Sequence, residues 1–148
     1  KIKMEHYEPA FLEGIKQHQA EVDAIINNPE APTFENTIVA LDYAGDMLDR
    51  VATVFFNLNS AETSDEMQAL AQKLSPMLTE HSNNVSLNEK LFARVKAVYE
   101  RYDVSHAILR MISTRFERAI AILDTLGLDS VRTEHLRIYA ENLMNRKK

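Results

Sequence analysis

A chain of 148 residues, 45% apolar and 26% charged, is long enough to bury one core and too ordinary in composition to be disordered. It has no Cys, which excludes a disulfide framework and any thiolate metal site, and no apolar run approaches the roughly 18 residues of a membrane span. The net charge of −5 is uneven: residues 1–93 hold 6 Lys and Arg against 15 Asp and Glu, residues 94–148 hold 11 against 7, and even the basic part lacks the dense cationic face that nucleic acid requires.

Apolar residues recur at helical steps almost from the start. Phe11, Ile15, His18, Val22, Ile25 and Ile26 form one stripe. Asn27-Asn28-Pro29 ends that helix, because Pro has no N–H and restricts the residue before it. Pro29-Glu30-Ala31-Pro32 is a short stiff linker. Thr33 is then a good N-cap, with Glu35 near the positive end of the new helix. Phe34, Ile38, Leu41, Gly45, Leu48, Val51, Phe55 and Leu58 share one face of it. Gly45 costs that helix up to about 1 kcal/mol of propensity, which close packing against another helix would explain.

Thr63-Ser64-Asp65-Glu66 has the form of a capping box and opens a third helix, with Met67, Leu70, Leu74, Leu78, His81 and Val85 inward. Pro76 should kink or split it. Ser86-Leu87-Asn88-Glu89 reads as a second box, followed by Leu91, Val95, Val98 and Tyr102. A fifth stripe runs Leu109, Ile112, Phe116, Ile120 and Leu123, and Gly127 fits a C′ stop. Asp129 or Ser130 caps a last helix with Leu136, Tyr139 and Leu143 inward. No period-two alternation suits a strand, and there is no internal repeat. The expectation is an all-α fold of about six helices in an antiparallel, bundle-like array, a single helical domain over 1–148.

Few arrangements for chemistry survive inspection. A helix-borne zinc site of the form H-E-x-x-H sets two His one turn apart, with the Glu activating bound water. The five His are His6, His18, His81, His106 and His135; none precedes a Glu and no two are four apart. The inverted H-x-x-E-H form fails as well, since Met77 and Val131 stand where the first His is needed. A carboxylate di-metal bundle needs repeated Glu-x-x-His, and Asp103-Val104-Ser105-His106 is one imperfect copy, better read as a helix cap. His18 and His81 lie on apolar stripes and read as rings at a helix–helix seam with one nitrogen satisfied. Asp42, Asp46 and Asp49, with Arg50, read as a solvated face. Phe55, Phe56, Met67, Met77 and Met111 read as core. With three isolated Gly there is no phosphate loop and no nucleophile elbow. The catalytic, cofactor-binding and metal assignments for this chain are therefore none.

Longer strings carry more. Glu5-His6-Tyr7-Glu8-Pro9-Ala10-Phe11, then the run from Asn27 through Pro29, Pro32, Thr33-Phe34-Glu35-Asn36-Thr37 to Asp42, then Val51-Ala52-Thr53-Val54-Phe55-Phe56-Asn57-Leu58 and Leu74-Ser75-Pro76, resemble the N-terminal helical region of zinc oligopeptidases of the thimet oligopeptidase and peptidyl-dipeptidase type. The resemblance covers roughly residues 2 to 103. Residues 104–148 keep helical periodicity, are more basic, and do not share the resemblance. The run from Asn27 to Thr37 reads closer to the peptidyl-dipeptidase branch, which removes C-terminal dipeptides. The resemblance implies one wall of a deep channel that admits short unstructured peptides. It implies zinc in the full-length parent and none in this chain, with the catalytic half of the parent and short peptides as partners, and neither nucleic acid nor membrane. It implies an inert piece of an enzyme in the cytoplasm, or in the periplasm or beyond if a leader has been removed. The alternative is a stand-alone helical interaction module with a peptidase-like front and a different, basic tail.

Overall fold

The structure, a computed structural model, describes residues 2–144. Among these there are six helices of 13 residues or more, with shorter helical turns between and before them, and no strand. A 3-10 turn, Met4–His6, leads into α1, Tyr7–Ile26. A π-helical turn, Phe34–Val39, runs into α2, Ala40–Tyr43, and Gly45 separates this from α3, Asp46–Ala61. Then follow α4, Asp65–Ser86, α5, Glu89–Arg101, α6, Val104–Thr125, and α7, Ser130–Met144. The chain divides into two compact units, Lys1–Val98 and Tyr99–Lys148.

In the first unit α1 packs on α3 and α4. Tyr7, Phe11, Leu48, Phe55, Met67 and Leu74 form its main core. Phe55 is the hub: Tyr7, Phe11 and Phe56 approach it edge-on at 5.0, 5.5 and 5.2 Å between centroids, the geometry that ring quadrupoles favour. Gly14 lets α1 come within reach of Leu48, whose Cα lies 3.1 Å from where a Cβ would stand. Val22, Ile25 and Leu91 make a second cluster with Ala40, Leu41 and Val85 around it. The stripes expected on α1 and α4 are thus the buried ones. So are Leu91 and Val98 on α5, with Val95 half-buried.

Several local expectations are corrected. Phe34 and Leu58 are exposed at 49% and 43% rather than inward, because the π-turn and the break at Gly45 rotate Phe34 away and Leu58 lies near the end of α3. Gly45 is not inside a helix at all: its φ of +85° is left-handed, and α3 starts after it. The α4 cap is Ser64, not Thr63, and its Oγ accepts from Met67 N–H. The α5 cap is Asn88, whose Oδ1 accepts from the N–H groups of Lys90 and Leu91, while Ser86 still belongs to α4. Pro76 neither splits nor ends α4. Ser75 and Thr79 flank it and donate back to the carbonyls of Ala71 and Ser75, one turn earlier in each case. Thr33 caps as expected, reciprocally with Asn36.

In the second unit α6 packs on α7. Gly127, with φ of +61°, follows the end of α6, and Asp129 Oδ1 accepts from Arg132 N–H to cap α7; the Ser130 side chain, the alternative cap, lies outside the described residues. Phe116, Ile120 and Leu123 are half-buried, yet Tyr102, Leu109, Met111, Ile112, Leu136, Tyr139 and Leu143 are exposed, against expectation. Two helices offer each other one stripe each, and their remaining apolar positions find no third element within the unit.

Candidate functional site

The best-defined polar arrangement lies where α1, α4 and the α2–α3 corner meet. Turn spacing on α1 puts His18 on the buried stripe with Phe11 and Val22, and the same spacing on α4 puts His81 in line with Leu74 and Leu78. Packing α1 on α4 brings His81 Nε2 to 3.0 Å from His18 Nδ1, with the rings edge-to-face at 4.9 Å. His81 is 7% exposed. Burial, and then the neighbouring His18, holds its pKa below the usual imidazole value of 6.5. Each ring takes one role in a single N–H···N bond, as a seam pair would.

Gly45 completes the corner. Its N–H donates to Glu21 Oε2 at 2.7 Å, and Glu21 lies one turn beyond His18 on α1. A Cβ on Gly45 would stand 2.9 Å from His18 Nδ1. Left-handed backbone and close approach to a ring both demand glycine here. The sequence signal for this close approach was the glycine itself on an apolar face; its partner was a ring, not a helix backbone. Glu21 carried no signal, since an acidic residue on an exposed helix face is commonplace.

Arg94 was likewise silent in the sequence. Its Nη1 donates to Asn28 O at 2.9 Å, and its Nη2 to Glu30 O at 3.3 Å and Asn36 Oδ1 at 3.4 Å, so α5 clamps the Asn27–Thr33 linker. This needs a contact across some 60 residues of chain, which no local pattern reveals.

The other residues weighed in the sequence are not drawn together. Asp42, Asp46 and Asp49 are exposed, and Asp46 is held by Arg50 at 2.5 Å. His106 bonds Asp103, with Arg110 3.8 Å from the same carboxylate, at the exposed start of α6; Asp103 is the N-cap residue there, but its side chain accepts from no backbone N–H of the helix, against the capping expectation. His6 Nδ1 accepts from Lys3 N–H. Among the described residues no group of three or more His, Asp or Glu stands close enough to hold a metal ion, and no helix is long and apolar enough to cross a membrane. A cleft of about 300 Å³, lined by Ile2, Tyr7, Ala10, Val51 and Val54 with Arg50 and His6 beside them, is almost wholly apolar and offers no reactive group. The arrangement can support and orient the helices that meet at this corner.

No family model matches the chain. Among curated proteins it is 48% identical over 142 residues to dipeptidyl carboxypeptidase of Escherichia coli (strain K12), a match covering 90% of this chain and 21% of that protein. It is 40% identical over 150 residues to dipeptidyl carboxypeptidase of Salmonella typhimurium, covering 95% and 22%. Oligopeptidase A of Escherichia coli is 28% identical over 106 residues, covering 72% of this chain and 15% of the other. The chain thus spans about a fifth of the length of the curated dipeptidyl carboxypeptidases it matches. A likeness over 95% of the chain cannot stop at Asp103, so it takes in most of the basic 104–148 segment.

Proposed function

We propose, from the premise that this chain belongs to the thimet oligopeptidase family as a homologue of one segment of dipeptidyl carboxypeptidase and oligopeptidase A, that it is the N-terminal helical wall of a peptidyl-dipeptidase-like zinc peptidase. The observation that carries the reading is a mismatch of coverage. Nearly the whole chain aligns with about a fifth of a dipeptidyl carboxypeptidase, while its 148 residues contain no H-E-x-x-H.

In this role the wall limits access and substrate length, so that short unfolded peptides reach the reacting centre and folded proteins do not. The zinc of the parent is expected on residues outside this chain. The residues here do not fit it: His18 and His81 are spent on each other, and no third ligand joins them among the described residues. The catalytic half of the parent is the partner expected to cover the apolar residues left exposed on α6 and α7. Support for a parent enzyme over a stand-alone module with an unrelated tail comes from the tail itself, which shares the likeness to dipeptidyl carboxypeptidase.

The test is the reading frame and its product. An H-E-x-x-H motif several hundred residues downstream in the same frame, and zinc-dependent release of C-terminal dipeptides by the full product, are expected. The purified 148-residue chain is expected to hydrolyse no short peptide. Chelator-sensitive turnover by that chain alone, or a frame that closes without the motif, overturns the reading.

A further inference from the structure

We propose that His18 and His81 form a one-proton latch that holds α1, α4 and the Gly45 corner together while at least one ring is neutral, and releases them when both are protonated. The inference stands on the geometry of the first unit and is independent of the peptidase reading.

The argument is one of proton counting. At 3.0 Å, Nδ1 of His18 and Nε2 of His81 share one hydrogen. Two neutral rings satisfy this, one donating and one accepting. One charged ring satisfies it too, as a stronger donor. Two charged rings place N–H against N–H and like charge against like charge, with His81 buried. The bond is then lost and the rings must part. On one side Gly45 already stands against the His18 ring and restricts how the rings can part. Because the pair spans the two helices, its loss weakens the packing of α1 on α4.

Charged side chains stand on each of the packed elements. On α1, Glu21 is the carboxylate at this corner, and its Oε2 is taken by the Gly45 N–H. On the α2–α3 side, Asp46 turns to Arg50. On α4, Glu80 is exposed. The direction in which burial and His18 move the His81 pKa agrees with the proposal, since both oppose the charged form. With the folded value below 6.5, the unfolded chain binds more protons as pH falls through that value. Stability is full above it and declines towards the folded pKa.

Urea unfolding of the whole 148-residue chain between pH 7.5 and 5 tests this, alongside H18Q and H81Q. Gln can hydrogen-bond but cannot charge, so either change removes the second proton. The wild-type unfolding constant is expected to rise severalfold over that range, with H18Q and H81Q each flattening the slope whatever their starting stability. The exposed His6, His106 and His135 remain in all three proteins and form the common baseline. Should a variant fail to fold, imidazole ¹⁵N shifts of the wild type decide. A shared proton coupling the two rings, with His81 titrating below 6.5, supports the latch. Rings that show no such coupling, or an unchanged slope in both variants, overturn it.

Discussion

Gly45 and Phe55 show how much a single position carries in the first unit. At Gly45 the backbone is left-handed and a Cβ would meet the His18 ring at 2.9 Å. G45A should therefore cost about 2–3 kcal/mol, from strain and contact together, read as a shift in the urea midpoint. Gly127 is the internal contrast. It is also left-handed, but nothing stands within 4 Å of an added Cβ, so G127A should cost about 1 kcal/mol in the unfolding of its own unit. Phe55 is fully buried among Tyr7, Phe11 and Phe56. F55A should cost about 3–5 kcal/mol, the range for deleting a large buried ring. Phe55 was legible as core from its helical spacing. The left-handed turn at Gly45 was not, because one glycine on an apolar face fits a close helix crossing equally well.

At the scale of the element, the helices and their stops were legible, and the capping atoms less so. Thr33 caps the turn it was expected to cap, whereas Ser64 and Asn88 displace Thr63 and Ser86 by one and two positions. Adjacent residues of similar capping chemistry compete, and the register of the buried stripe selects between them. T33A should cost about 1 kcal/mol. Pro76 is exposed on an uninterrupted α4, held there by packing of Leu74 and Leu78 rather than by its own preference. P76A should raise stability by about 1–3 kcal/mol, by restoring a donor and a favourable helix residue, measured as a higher urea midpoint.

The whole molecule divides into two units with unequal interiors. The first buries aromatic and aliphatic side chains on α1, α3, α4 and α5. In the second, the buried residue among those described is Thr133, while Leu109, Ile112, Leu136, Tyr139 and Leu143 remain exposed. The 148-residue chain should therefore bind a fluorescent apolar dye and self-associate with rising concentration. Polar replacement of Leu109 and Leu136 should weaken both, read by dye emission and sedimentation. Unchanged emission in that variant would locate the exposed surface elsewhere.

Sequence by itself determined the helical class, the stops at Pro29 and Gly127, and the buried faces of α1 and α4. These follow from periodicity and from backbone limits that act over a few residues. Its longer strings also determined the family, since descent is written in order along the chain. Tertiary structure decided that His18 meets His81, that Glu21 ties down Gly45, and that Arg94 clamps a linker more than 60 residues away. It also decided which apolar stripes are covered. A stripe states that a face seeks burial, and only the presence of another surface in space can provide it.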